Sequence, residues 1–410
     1  MSERIVIKEI CEVYDGPHAT PKKTVDGPVY LGIDAITDDG KINAKEFAHL
    51  SEEDYIKWTK RVTPQYGDIV FSYEATLGRY ALIPKDFYGC LGRRLAIIRN
   101  VSKDIDTLWL YYYFLSPEWK QFIQSKIIKG STVNRISVED FPTYTVPNIS
   151  IKVQRKIANI LSKIDEKIAL NNNINDNLEQ QAKLIYDYWF TQFDFPDENG
   201  KPYCSSGGKM VWDEQLKRNI PENWNVVPLL KLVSWESNSQ PPKSEFVYEP
   251  KEGYVRFIQN RDYDSDTHIT YIPRTKNLSI VDRFDILMDK YGDAGAVRYG
   301  IEGAFNVALG KICVHNPNYR EYIRSFLGSD GIYKFLHNSC MASTRASLSE
   351  ANLAILNVVV PDEKIILDYE NFLQKIRVSI LKNKDETVEL INLRDWLLPM
   401  LMNGQATIAD

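Results

Sequence analysis

Apolar residues fall on a seven-residue grid over residues 151–190. Ile157, Ile164, Leu178 and Ile185 occupy the grid, Asn171 takes its central place, and Leu161, Ile168, Ala182 and Trp189 follow on the neighbouring stripe. A seven-residue repeat draws one apolar seam along a helix, and a seam needs a partner. The pattern predicts one helix of roughly 60 Å at ~1.5 Å per residue, long for a globular helix and suited to a spacer or a coiled-coil arm.

The partner is predicted in the same chain. Moving each grid position 212 places along, from Ile157 to Tyr369, gives a second grid: Tyr369, Ile376, Asn383, Leu390 and Leu397, again with asparagine in the middle. The same offset carries Ser131-Thr132 onto Ser343-Thr344 and Ile136-Ser137 onto Leu348-Ser349. The chain therefore reads as an internal duplication, each copy ending in a long helix. If the helices run antiparallel, Asn171 and Asn383 are expected near one another midway, where a buried polar contact would fix register.

Upstream of each helix the pattern is mixed. Val29–Ile36 reads as a strand, residues 64–84 as a hairpin turning at Gly78, and Gly92–Asn100 as another strand. Residues 107–126 read as an aromatic helix broken at Ser116-Pro117, because proline disfavours helix in the residue before it. Ser150 or Asn148 is the expected cap of the first long helix. Farther along, Tyr254–Ile258 answers Val29–Ile33, Arg283–Leu287 answers Tyr66–Val70, and Gly295 answers Gly78. Thus each copy is expected to be an α/β (α+β) domain. The boundaries read from sequence are 1–149 for the first domain, 150–190 for its helix, 191–223 for a Gly/Pro/Ser-rich connector without clear period, 224–361 for the second domain, 362–402 for its helix and 403–410 for a tail.

Composition narrows the class. The 410 residues are 44% hydrophobic and 26% charged, ordinary for a globular protein, with a net charge of −5. Residues 1–150 carry 19 basic against 20 acidic groups and residues 224–360 carry 15 against 15. Each domain is near neutral, so phosphate binding would depend on local clustering. Five scattered cysteines (Cys11, Cys90, Cys204, Cys313, Cys340) lack the spacing of a disulfide framework or a zinc site. Neither a signal-peptide pattern nor an apolar run of membrane-spanning length is read, so a cytoplasmic location is expected.

Catalytic motifs are not found. There is no phosphate loop of the GxxxxGK[ST] type, and the glycines of Gly292–Gly300 have the wrong spacing for a dinucleotide fingerprint. Asn316-Pro317-Asn318-Tyr319 is one residue from a methyltransferase NPPY motif, but without a cofactor loop upstream it reads as a turn. What remains is recognition chemistry. Lys22, Lys23, Tyr73, Arg79, Arg93, Arg94, Lys129, Asn134 and Arg135 in the first domain are candidate DNA contacts. So are Arg256, Gln259, Asn260, Arg261, Lys290, Tyr291, Arg298 and Arg345 in the second. Arginine can pair with guanine, and asparagine or glutamine with adenine, through two hydrogen bonds in the major groove. Lysine and hydroxyl side chains hold phosphate. Singly, each is an ordinary surface residue; their recurrence in equivalent loops of both domains is the signal.

With the repeat, the helices and the connector in view, the chain resembles the specificity subunit of type I restriction–modification enzymes. The most specific match is the connector: Phe193-Asp194-Phe195-Pro196, Asn199-Gly200-Lys201-Pro202-Tyr203, Ser205-Ser206-Gly207-Gly208-Lys209-Met210-Val211 and Ile220-Pro221-Glu222. A second is the domain exit, Pro147 followed by Gln154-Arg155-Lys156-Ile157-Ala158, with Val153 where the family often has Glu. The resemblance implies two target-recognition domains reading the halves of a split double-stranded DNA site. It also implies two long antiparallel helices forming a coiled coil between them, in a pseudo-two-fold arrangement. Two methylation subunits and the restriction subunits are the implied partners. S-adenosylmethionine, ATP and Mg would be bound by those partners, with no cofactor, metal or active site in this chain and no membrane association. The alternatives are a stand-alone adenine DNA methyltransferase and a coiled-coil adaptor between proteins.

Overall fold

The structure, a computed structural model, describes residues 3–130, 133–263, 268–341 and 347–406. It divides into two units, residues 1–170 with 387–410 and residues 171–386. The cut falls across both long helices, so each unit holds one mixed domain and a half of each helix.

In the first unit the strands are β1 (Arg4–Val6), β2 (Cys11–Asp15), β3 (Thr24–Leu31), β4 (Ala48–His49), β5 (Ile69–Ser72), β6 (Tyr80–Leu82), β7 (Gly89–Leu91), β8 (Leu95–Asn100) and β9 (Thr145–Pro147). The helices are α1 (Glu52–Trp58), α2 (Thr107–Leu115), α3 (Pro117–Ser125) and α4 (Ile151–Tyr186). One sheet runs β2-β8-β5-β6 and a second β4-β3-β7, while β1 pairs with β9. The expected hairpin at Gly78 is β5 with β6, antiparallel, and Gly78 takes φ +73 as such a turn requires. The expected helix break is also there: Ser116 lies between α2 and α3, its side chain accepting the Trp119 N–H, with Pro117 at the first helical position. The strand read over Val29–Ile36 stops at Leu31, and a 3-10 turn over Ile33–Ala35 follows.

This domain's core is aromatic. Phe71, Tyr80, Trp109, Tyr113, Phe114, Trp119 and Phe141 are fully buried. Trp119 Nε1 donates to the Tyr80 hydroxyl at 2.8 Å, which satisfies the polar end of each ring. Ile157, Ala158 and Leu161 of α4 close this core together with Leu398, Leu401 and Met402. Ser150 takes the cap position of α4, ahead of Ile151. The exit-motif residue Gln154 is wholly buried and saturated: its amide nitrogen Nε2 donates to the carbonyls of Asp104 and Ile149, and its Oε1 accepts the Asp106 N–H.

The second unit repeats this order. Its strands are β10 (Met210–Asp213), β11 (Arg218–Pro221), β12 (Asn225–Pro228), β13 (Val233–Ser237), β14 (Tyr254–Ile258), β15 (Tyr271–Pro273), β16 (Ile280–Val281), β17 (Ile286–Asp289), β18 (Val297–Arg298), β19 (Gly303–Phe305), β20 (Leu309–Val314) and β21 (Asn357–Val360). Its helices are α5 (Arg320–Leu327), α6 (Asp330–Met341), α7 (Glu350–Leu353) and α8 (Glu363–Met402). The sheet β13-β20-β17-β18 matches β2-β8-β5-β6, and β14 pairs in parallel with β19 as β3 does with β7. The pair β12–β21 matches β1–β9.

The connector, read as lacking a period, contains the antiparallel hairpin β10–β11. Ahead of it Phe195 stacks on Tyr203 and on Trp224, each at 4.7 Å between ring centroids. Asp194 accepts the Ser205 N–H at 2.7 Å and the Ser205 hydroxyl at 2.6 Å, and these bonds hold its carboxyl below the usual range. The long helix read to Phe190 is α-helical to Tyr186 and ends in a π-helical turn over Asp187–Thr191.

Within the second unit Asn171 Nδ2 donates to Glu386 at 2.8 Å, Asn383 Nδ2 donates to Asn175 at 2.9 Å, and Arg377 bonds Glu179. Partner numbers fall along α8 as they rise along α4, so these segments run antiparallel. The two grid asparagines each bond across the pair but to different partners, about one helical turn out of register with each other. The grid fixes which face is the seam, with Ile157, Ile164, Tyr369 and Ile376 buried, whereas Leu178, Ile185, Leu390 and Leu397 are partly covered.

Candidate nucleic-acid interface

The strands of the first domain bring five of its nine candidates together. Tyr73 follows β5, and its N–H donates to the Arg94 carbonyl at 3.1 Å; the Ile136 N–H donates to the Tyr73 carbonyl at 2.8 Å. Arg135 bridges to Ile128 and Glu74, which brings Lys129 and Asn134 beside them. Arg94 Nε donates to Glu74 Oε2 at 3.0 Å. Arg94 and Ala75 both take positive φ, +72 and +64, a left-handed conformation that non-glycine residues rarely adopt outside functional loops. Tyr73 is only 8% exposed, and burial, reinforced by the Asp15 carboxylate, pushes its hydroxyl above the ordinary range. Its hydroxyl is therefore a neutral donor.

The other four sit apart. Arg79, in the β5–β6 turn, grips Asp38 through Nε at 2.6 Å and Nη2 at 3.1 Å, and gives Nη1 to the Ile36 carbonyl. Lys22 and Lys23 are exposed in the loop after β2, and Arg93 is exposed at the β7–β8 turn, where its N–H donates to the Tyr30 hydroxyl at 3.1 Å.

In the second domain the candidates gather around two buried carboxylates. Gln259 N–H donates to Asp262 Oδ2 at 3.1 Å, and the Arg256 and Arg261 guanidiniums each stand 3.9 Å from Asp262. Gln259 Nε2 donates to the Thr270 hydroxyl at 3.1 Å. Arg298 Nη2 donates to Asp289 at 2.8 Å and lies over the Tyr263 ring at 5.6 Å. Burial raises the Asp289 carboxyl above its ordinary value, an effect only partly offset by Arg298 and by a hydrogen bond with Asn260. Lys290 and Tyr291 lie in the β17–β18 turn, with Tyr291 exposed. Arg345, together with the Ser131-Thr132 and Ser343-Thr344 pairs of the repeat, lies outside the described residues.

The candidates are thus of two kinds. Arg79, Arg94 and Arg298 are held by carboxylates, which fixes the orientation of a planar fork that can pair with a base edge. Lys22, Lys23 and Arg93 carry no described ion pair, which suits contact with phosphate. The aiming carboxylates Asp38, Glu74, Asp262 and Asp289 were not singled out from the sequence. Only Asp262, next to Arg261, had a local signal; the others meet their arginines through the fold. Asn316 heads a 3-10 turn over Pro317–Tyr319, accepting the Asn318 N–H at 3.1 Å, which makes this stretch the turn its residue types suggested.

Two domains of one topology in tandem, each with polar loops converging beside its sheets, define a two-module recognition protein. The family described as Type I restriction modification DNA specificity domain matches residues 2–180 and 221–395. The chain belongs to that family and is a type I restriction–modification specificity subunit with two tandem recognition domains. Similar relatives include the type I restriction enzyme MjaIX specificity subunit of Methanocaldococcus jannaschii, 22% identical over 379 residues, covering 88% of this chain and 82% of the relative. The HindI specificity subunit of Haemophilus influenzae is 21% identical over 407 residues, covering 83% and 86%. Among solved structures, the type I restriction–modification S subunit from M. genitalium shares the fold at a TM-score of 0.60, with 16% identity over 98% of this chain and 96% of that one. Among the described residues no helix is long and apolar enough to cross a membrane.

Proposed function

We propose that the chain reads a split double-stranded DNA site, one half with each domain, and presents that site to methylation and restriction subunits that carry the chemistry. The observation that carries this reading is the tandem match to a DNA specificity domain, on two domains whose loops hold arginines aimed by carboxylates. In the first domain the base-reading candidates are Arg79, Arg94, Asn134 and Arg135, with Tyr73 behind them; Lys22, Lys23, Arg93 and Lys129 hold phosphate. In the second they are Arg256, Gln259, Asn260, Arg261 and Arg298, with Lys290 and Tyr291 at the margin; Arg345 is a further candidate by sequence alone. Two methylation subunits and S-adenosylmethionine, and restriction subunits with ATP and Mg, complete the complex.

The long helices act as a coiled-coil spacer related by a pseudo-two-fold, with residues 150–190 and 362–402 as its arms and residues 1–149 and 224–361 as the reading domains. The antiparallel bonds Asn171–Glu386 and Asn175–Asn383 support this reading. Spacer length then sets half-site spacing, because one added or removed turn moves a domain by ~5.4 Å along the DNA. Footprinting the chain with its methylation subunit tests it. Protection of two short tracts separated by roughly half to one helical turn is expected. A single uninterrupted tract, or none, would reject it.

A further inference from the structure

The first domain has a cavity of 430 Å³ that none of the candidate contacts occupies. One wall is the loop leaving β2, from Asp15 to Ala19; the other is the end of α1 and the residues after it, Lys57 to Val62. We propose that this pocket seats a backbone phosphate of the DNA beside the bases read by the first domain, with Lys60 and Arg61 as the contacting residues. This rests on the DNA-reading function proposed above.

Charge is the first argument. Lys57, Lys60 and Arg61 line the pocket and are exposed, while its one lining carboxylate, Asp15, is already 2.9 Å from His18 Nε2. Availability is the second. Arg79 and Arg94 are held by carboxylates, but Lys60 and Arg61 make no hydrogen bond or ion pair among the described residues, so their donors are free. Lys57 lies over the Trp58 ring at 5.9 Å, which keeps its charge at the rim. The backbone dipole of α1 favours a cation in its last turn, where Lys57 stands. That accounts for Lys57 and not for Lys60 or Arg61, which lie beyond the helix end at Trp58. The third argument is continuity. The same loop runs on to Lys22 and Lys23, and the lining residue Leu91 is two places from Arg93.

The second domain is built differently at the equivalent place. After β13, the counterpart of β2, stands Asn238, 9% exposed, with Nδ2 donating to the Ser279 carbonyl at 2.9 Å and Oδ1 accepting the Ser279 N–H at 3.2 Å. The first domain has Gly16 there, where an added Cβ would lie 2.3 Å from the Leu95 carbonyl oxygen. The phosphate seat is therefore proposed for the first domain, where these lining residues stand.

The test uses the full chain assembled with its methylation subunits. Two 40-bp duplexes are bound over a range of salt, one carrying the mapped methylation motif and one scrambled. The double variant Lys60→Gln, Arg61→Gln is expected to reduce the slope of log affinity against log salt by about 1. It should weaken both duplexes alike, tenfold or more, and leave the melting temperature and the methylated motif unchanged. The exchange Lys60→Arg, Arg61→Lys should retain the slope. An unchanged slope in the Gln variant would overturn the phosphate seat, and so would a changed motif, which would mean a base contact. If the unaltered assembly binds both duplexes equally, the reading function fails. A reduced slope on the scrambled duplex would even then support the seat.

Discussion

The two units both seat their domains on apolar helix faces, but the charged links added to those seats differ. In the first, the contact is apolar, through Ile157, Ala158, Leu161, Leu398, Leu401 and Met402, with charged links beside it: Arg394 Nη1 donates to Asp165 at 2.9 Å, Asp165 also accepts the Tyr112 hydroxyl at 2.6 Å, and Arg155 Nε stands 4.0 Å from Asp106. In the second, Tyr186, Tyr369, Leu373, Ile376 and Ile380 join the domain's apolar core, and a buried ionic cluster is added to it. Glu321 and Arg324 of α5 are 2% and 3% exposed, Arg377 of α8 is 5% exposed, and Arg377 bonds Glu321 at 2.9 Å as well as Glu179 of α4 and Tyr299. Burial alone would raise the Glu321 carboxyl, yet the Arg324 and Arg377 guanidiniums hold it below the usual range. At the repeat offset of 212, Asp165 corresponds to Arg377, a reversal of charge. Duplicated topology thus coexists with charge wiring that differs between the copies.

The largest effect should come from Arg377→Met, which strips Glu321 of one of two cations. A loss of about 3 kcal/mol or more is expected, confined to the second unit, as fast-exchanging amides in α5 and α8 by hydrogen exchange. Arg394→Met in the first unit should cost about 1–2 kcal/mol, because its partner Asp165 is more exposed. Equal losses would erase the distinction between the seats. Next, Arg298→Ala leaves Asp289 buried without its cation. About 1–3 kcal/mol of stability should be lost along with specificity at one half-site, read by thermal melting and by methylation mapping. Lys22→Ala with Lys23→Ala should weaken binding to all sequences and leave melting unchanged.

The two hairpin glycines give a smaller contrast. An added Cβ at Gly78 meets only Ile123 at 3.8 Å, whereas at Gly295 it meets Leu336 Cβ at 3.3 Å; both have positive φ. Gly78→Ala should cost about 1 kcal/mol for the backbone alone, and Gly295→Ala measurably more in parallel denaturation curves. The smallest effect is expected at Glu370, whose carboxyl burial pushes up to about 7, even though it accepts the Glu321 N–H at 2.8 Å. Between its ordinary value and about 7 the folded chain holds more protons than the unfolded one. Stability should therefore fall as pH rises through that window. Glu370→Gln should raise the melting temperature at pH 8 by about 2–4 °C, corresponding to about 1 kcal/mol in a unit of this size, and leave it unchanged at pH 4.

Much of the fold was legible because it is periodic or local. The heptad grid marked both helices, glycine marked the hairpins and Ser116-Pro117 marked the helix break. Axial register was not legible. A heptad tells which face is buried, and the bonds Asn171–Glu386 and Asn175–Asn383 that set the register join residues more than 200 places apart. The site was partly legible for the same reason. Lysines and arginines in equivalent loops could be picked out, but the carboxylates that aim them could not: Asp38 meets Arg79 across 41 residues and Glu74 meets Arg94 across 20. The hairpin β10–β11 was hidden because its strands are four residues each, too short to show alternation.

The central claim is that each domain reads one half of a split site. Mapping methylated adenines genome-wide tests it directly, in cells carrying the chain with its methylation partner, and in matched cells where Arg256, Gln259 and Arg261 are replaced by alanine. The expected result is a two-part motif in the first cells, and a motif relaxed or lost in one part only in the second. A continuous motif, methylation that does not depend on this chain, or simultaneous change of both parts would contradict it.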